Sequence, residues 1–143
     1  MRFVMERNKV FAVIDTNVIV SALLSRNNKE SNTSRVFEAV LDGRITPLYN
    51  EEILDEYKEV LGRSKFPFHK EDVDMVEILM VTIGLKLERT TTFEGVFPDP
   101  KDVVFYEVTL SKDDAYLVTG NIKHFPKKPF VITPAEMVAI LNL

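Results

Sequence analysis

Short apolar runs alternate along the chain with longer segments whose apolar residues recur every three or four positions. The first run, VFAVI at 10–14, is continuous rather than alternating, which is the pattern of a strand buried on both faces. A single carboxylate, Asp15, ends it, and the apolar pattern resumes through Val18 to Leu24 as a helix with Asn17 as the predicted N-cap. The polar stretch at 25–34 reads as a loop that caps a helix over 35–42, closed by Gly43. ITPLYN at 45–50 reads as a strand, with Pro47 weighing against a central place in a sheet. Asn50 then caps a helix over 51–63, on which Ile53, Leu54, Tyr57, Val60 and Leu61 form one stripe.

A second amphipathic helix is predicted over 69–84 and a short strand over 85–89. FPDPKD at 97–102 carries turn chemistry and opens a largely apolar helix. AYLVTGN at 115–121 and FVIT at 130–133 read as strands separated by a basic loop. The last helix opens with a capping box, Thr133 and Glu136, and has Pro134 at its first position. Strands alternating with helices predict βαβ units: a mostly parallel sheet with helices on both faces, in one domain spanning 1–143.

Composition narrows the function classes. The chain has 143 residues and no cysteine, which excludes disulfides and thiolate metal sites and makes a reducing cytoplasm the expected compartment. Residues 1–9 interrupt their apolar pieces with charge, unlike a signal peptide, and no apolar run approaches the roughly 20 residues of a membrane span. The net charge of −4 argues mildly against a general nucleic-acid coat, although clustered carboxylates would themselves make the balance acidic. The five glycines form neither a phosphate-binding nor a dinucleotide-binding loop.

In open α/β sheets the site lies beyond the carboxyl ends of the strands. Asp15 follows the first strand, and Gly120 and Asn121 follow AYLVT, so both are expected at one rim. Thr16 and Asn17 can serve the helix start, which leaves Asp15 free for chemistry. Among the five acids at 51–59, Glu56 sits at the edge of the apolar stripe and reaches inward most easily, whereas Asp55 and Glu59 point away. Asp99 has the features of a helix cap; Asp102 either complements the helix dipole or faces the site. Asp113 and Asp114 read as solvated turn residues, His69 as a helix start and His124 as a loop contact. Asp15, Glu56 and Asp102, with Thr119–Asn121 closing the set, are hard oxygen donors suited to Mg²⁺ or Mn²⁺. The matching reaction is phosphodiester hydrolysis by a metal-activated water.

Four motifs in order, VIDTNVIVSALLS, NEEILDEYKEVLGRSKF, DPKDVVFYEV and AYLVTGNIKHFP, resemble those of the PIN-domain ribonucleases, from about Val10 to Thr133. The likeness is greatest to the small prokaryotic toxins of toxin–antitoxin pairs. It implies a Rossmann-like three-layer α/β/α fold and Mg²⁺- or Mn²⁺-dependent endoribonuclease activity, with an antitoxin partner and a homodimer. It places metal-binding acids at Asp15, Glu56 and Asp102, and orienting residues at Thr16, Asn17 and Thr119. Where many members carry a fourth acid this chain has Asn121, and Asp99 is the nearest carboxylate to supply the missing charge. Arg26, Arg63, Lys65, Lys123, Lys127 and Lys128 are the cations placed to meet an RNA backbone. Two other readings are compatible with the acids: a catalytically weak PIN scaffold that binds protein or RNA, and an acidic-pocket phosphatase or phosphoacceptor. The last fits poorly, because position 17 is Asn where a phosphatase of that type needs a second Asp.

Overall fold

The computed structural model describes residues 9–142, so the charge-broken start at 1–8 lies outside the described residues. The elements are β1 (Val10–Ile14), α1 (Thr16–Leu24), α2 (Asn32–Leu41), β2 (Ile45–Tyr49), α3 (Glu51–Leu61) and α4 (Lys70–Ile83). They continue with β3 (Leu85–Lys86), α5 (Val103–Leu110), β4 (Ala115–Val118), β5 (Val131–Ile132) and α6 (Pro134–Leu141). Single 3₁₀ turns, Pro100–Asp102 and Ile122–His124, precede α5 and follow β4.

All five strands are parallel, in the order β3-β2-β1-β4-β5. Helices cover the sheet to make a three-layer α/β fold: α2 packs on α1 and α6, α4 on α3, and α5 on β4 and β1. The continuous apolar run of β1 has the cause the sequence predicts. Ala12, Val13 and Ile14 lie between strands and are covered on both faces, so none of the three faces water, while Val10 and Phe11 are half-buried.

Three details depart from the sequence reading. First, α1 starts at Thr16 rather than Val18, so Asn17 is its second residue; Asp15 holds the N-cap position with no side-chain cap bond. Second, α2 starts at Asn32, because Ser31 Oγ accepts from the Ser34 N–H and caps it three residues early. Third, β2 is an interior strand despite Pro47. It is tolerated because β3 pairs only with Leu48 and Tyr49, leaving no ladder on that side for Pro47 to interrupt. At the end of α4 the helix meets β2 so closely that a Cβ on Gly84 would collide with the Met80 and Pro47 carbonyl oxygens.

Strand order reverses between β1 and β4: the chain runs from β1 outward to β2 and β3, then returns to β4 and β5 on the other side. That is the switch point at which open α/β sheets form their crevice.

Candidate active site

Asp15 is the first residue after β1, and its backbone is fixed twice. Its N–H donates to the Val118 carbonyl of β4 at 2.9 Å, and its carbonyl accepts from the Val18 N–H at 3.0 Å. The residue is thereby held at the crevice while remaining only 7% exposed. Thr119, fully buried one residue beyond β4, donates its hydroxyl to Asp15 Oδ2 at 2.7 Å. The same hydroxyl oxygen accepts from the Asn121 N–H at 2.9 Å. With its lone pair so engaged, the hydroxyl proton points to Asp15 and favours the ionised acid. Burial nevertheless dominates and raises the Asp15 pKa above the ordinary carboxylate range; the Thr119 hydroxyl and the Thr16 N–H oppose it.

Asp102 reaches the crevice from the 3₁₀ turn that starts α5. Asp99 caps that turn through Oδ1, accepting from the Lys101 N–H at 3.0 Å, which is the structural role its sequence context favours. Asp102 is raised to about 6, first by burial and then by the charges of Asp15, Asp99 and Glu56. His124 Nδ1 lies 3.7 Å from Asp102 Oδ2 and pulls the other way. Glu56, half-buried on α3, acts electrostatically on both Asp15 and Asp102, so the three acids share one field.

The crevice thus joins Asp15, Glu56, Asp102, Thr119 and the Asn121 backbone. The Asn17 side chain touches its margin, Oδ1 accepting from the Gly120 N–H at 3.5 Å. Thr16 is buried beside Asp15, and its hydroxyl oxygen has no hydrogen-bond partner among the described residues. Two of the predicted RNA-contacting cations are engaged elsewhere: Arg26 pairs with Asp72 at 3.0 Å and Arg63 with Glu59 at 2.7 Å. Lys65 lies 5.1 Å over the Phe66 ring. Lys123 stands on the 3₁₀ turn beside His124.

Two participants escape a sequence reading. His124 is 22 positions from Asp102, and only the 3₁₀ turn after β4 returns it to the crevice; its place on the rim segment was the available signal. Tyr57 lies in the apolar stripe of α3, yet its hydroxyl donates to the Ile14 carbonyl at 2.6 Å. That bond fastens α3, and Glu56 with it, to the residue just before Asp15.

Among the described residues, no three Asp, Glu, His or Cys side chains are close enough to form a ready-made metal cage. The donor set nevertheless fits a hard divalent cation. Mg²⁺ takes only one or two carboxylates and fills its shell with water and phosphate oxygens. Two partly desolvated acids with raised pKa values, beside an unpartnered threonine hydroxyl, are relieved by such a charge.

Over residues 12–123 the chain matches the family model described as the PIN domain. The comparison with curated proteins gives no match. PIN domains are in general nuclease domains that use divalent metals, and the matched segment contains Asp15, Glu56, Asp102, Thr119 and Asn121 but ends one residue before His124. By that match and by its parallel 3-2-1-4-5 sheet, this chain belongs to the PIN domain family.

Proposed function

We propose that this protein is a Mg²⁺- or Mn²⁺-dependent endoribonuclease and the toxin of a toxin–antitoxin pair. The observation that supports it most is the buried Thr119–Asp15 hydrogen bond, set at the strand switch point within the field of Asp102 and Glu56. Asp15 and Asp102 hold the cation, with Asp99 adding negative charge behind Asp102. When bound, the cation polarises the scissile phosphate and lowers the pKa of its water. Glu56 orients the attacking water from α3, and the Asn121 side chain positions the phosphate. Thr119 acts on Asp15 rather than on substrate, because its hydroxyl is already committed at both donor and acceptor. Hydrolysis joins the water oxygen to phosphorus and breaks one phosphodiester P–O bond.

The chain acts as one domain, in keeping with its single hydrophobic core among the described residues, and the absence of cysteine fits the reducing cytoplasm as its compartment. No helix among the described residues is long and apolar enough to cross a membrane. An antitoxin that covers the crevice and a homodimer complete the reading. The position of Asn121, where an acid would add charge, favours a second reading: a weakly catalytic scaffold that binds RNA or protein. Calorimetric titration with Mn²⁺ separates the two. Stoichiometric binding lost in Asp15→Asn supports the nuclease, and no binding to the wild type supports the scaffold.

A further inference from the structure

The cations of this acidic chain are unevenly committed. Every arginine among the described residues pairs with a carboxylate: Arg26, Arg35, Arg44, Arg63 and Arg89. By contrast Lys123, Lys127 and Lys128, within six positions of one another, have no carboxylate partner among the described residues. These three lysines line a cleft of about 510 Å³ between the 3₁₀ turn after β4, the edge strand β5 and the start of α6. That volume lies within the roughly 300–1,000 Å³ of clefts that hold small organic ligands. Its walls are apolar, formed by Ile122, Pro126 and Pro129 over a floor of Val131 and Ile132. One carboxylate, Glu136, also lines it, but that group accepts the Thr133 N–H at 2.9 Å in the capping box of α6.

The same 3₁₀ turn faces both the crevice and the cleft: His124 stands against Asp102, while Ile122 and Lys123 wall the cleft. We propose that this cleft seats an unpaired nucleotide of the RNA strand, its base against the Ile122, Pro126 and Pro129 walls and the adjoining phosphates on Lys123, Lys127 and Lys128. The inference rests on the ribonuclease reading of the neighbouring acids and adds a place outside the crevice where the strand is held, since a base can enter such a cleft only from an unpaired stretch. The charge division supports it as well. The acids at the crevice repel a phosphate backbone unless a cation is present, so the attraction that holds the strand must come from elsewhere, and the uncommitted lysines lie next door.

The test measures binding apart from cleavage. Fluorescence anisotropy in EDTA follows a labelled uridine hexamer, and the same sugar–phosphate backbone without bases, over a series of salt concentrations. The wild type is expected to bind the hexamer roughly tenfold more tightly than the abasic strand, the scale of stacking one base. Lys127→Ala with Lys128→Ala should weaken hexamer binding about tenfold and lower the slope of log K against log salt by about 1.4, at about 0.7 per phosphate on a single strand. Lys9→Ala with Lys29→Ala, two lysines elsewhere that also have no carboxylate partner among the described residues, should change neither. Ile122→Ala should narrow the preference over the abasic strand. The proposal is overturned by no hexamer binding, by equal binding of the abasic strand, by equal losses in both lysine pairs, or by a poly-glutamate peptide binding as tightly as RNA. Cleavage of the hexamer in Mn²⁺, scored separately, distinguishes the two claims. Binding with the expected losses but no cleavage removes the nuclease reading and leaves the cleft, whereas cleavage with binding unaffected by the lysines does the reverse.

Discussion

Thr119 and Asp15, 104 positions apart in the chain, meet in a buried hydrogen bond of 2.7 Å at the strand switch point. The threonine hydroxyl is itself oriented by the Asn121 N–H, so the bond delivers a proton toward a carboxylate that burial would otherwise neutralise. Thr119→Val removes the donor and keeps the shape. The Asp15 pKa then rises further, and the pH at which Mn²⁺ binding is half complete moves upward. Affinity at pH 7 should fall about 10- to 100-fold, the usual cost of losing a group that orients a metal ligand. Thr119→Ser should restore most of it, with calorimetry as the readout.

Asp102 gives a stability prediction with a definite sign. Its folded pKa of about 6 stands above the ordinary 3.8, so the folded state favours the neutral acid. The stability this contributes is complete below about pH 3.8 and is lost as pH rises through about 6. In EDTA, Asp102→Asn should therefore melt at a higher temperature than the wild type at pH 7.5, with the gap closing as pH falls toward 4. Added Mn²⁺ should raise the wild-type melting temperature at pH 7.5 and leave Asp102→Asn much less affected, because only the ionised acid binds the cation. Calorimetric scans at several pH values check both statements.

Tyr57→Phe tests the fastening of α3. The phenol is buried, and its loss leaves the Ile14 carbonyl without that donor. Urea denaturation should show a loss of about 1–2 kcal/mol. If the bond also holds Glu56 in place, cleavage should fall by more than the change in folded fraction accounts for.

Glu107 makes a separate prediction. It is buried on α5, where it accepts from Arg89 at 2.8 Å and from the Phe93 N–H at 2.6 Å, pinning the segment that leads to Asp99 and Asp102. Glu107→Ala should cost about 2–3 kcal/mol and expose the segment at 87–99 to limited proteolysis sooner than the wild type.

The parts of this architecture carried by periodicity were legible in the chain. The continuous run of β1, the stripe of α3, the Asn50 cap and the capping box of α6 appear where pattern and cap chemistry put them. Helix starts were less legible where two polar residues compete. Asp15, Thr16 and Asn17 all qualify as caps, and only the fold shows that Asp15 holds the N-cap position while its carboxylate accepts from Thr119 beyond β4. Pro47 misled because its cost depends on the length of the neighbouring strand, which a single segment does not reveal. Asp15 and Asp102 were named from their places at a strand end and a helix start, and Glu56 from the edge of the α3 stripe. His124 and the hydroxyl of Tyr57 were not, since each acts through a fold-made contact at long sequence separation.

Asp15 is the central group of the proposed chemistry, and one comparison tests its role directly: cleavage of a mixed single-stranded RNA pool in Mn²⁺ by the wild type and by Asp15→Asn, both verified as folded by circular dichroism. Cleavage by the wild type, with a fall of at least about 100-fold in the variant, is the outcome required of a charge that stabilises the transition state. Equal cleavage by the two proteins would remove Asp15 from the chemistry and the assignment with it.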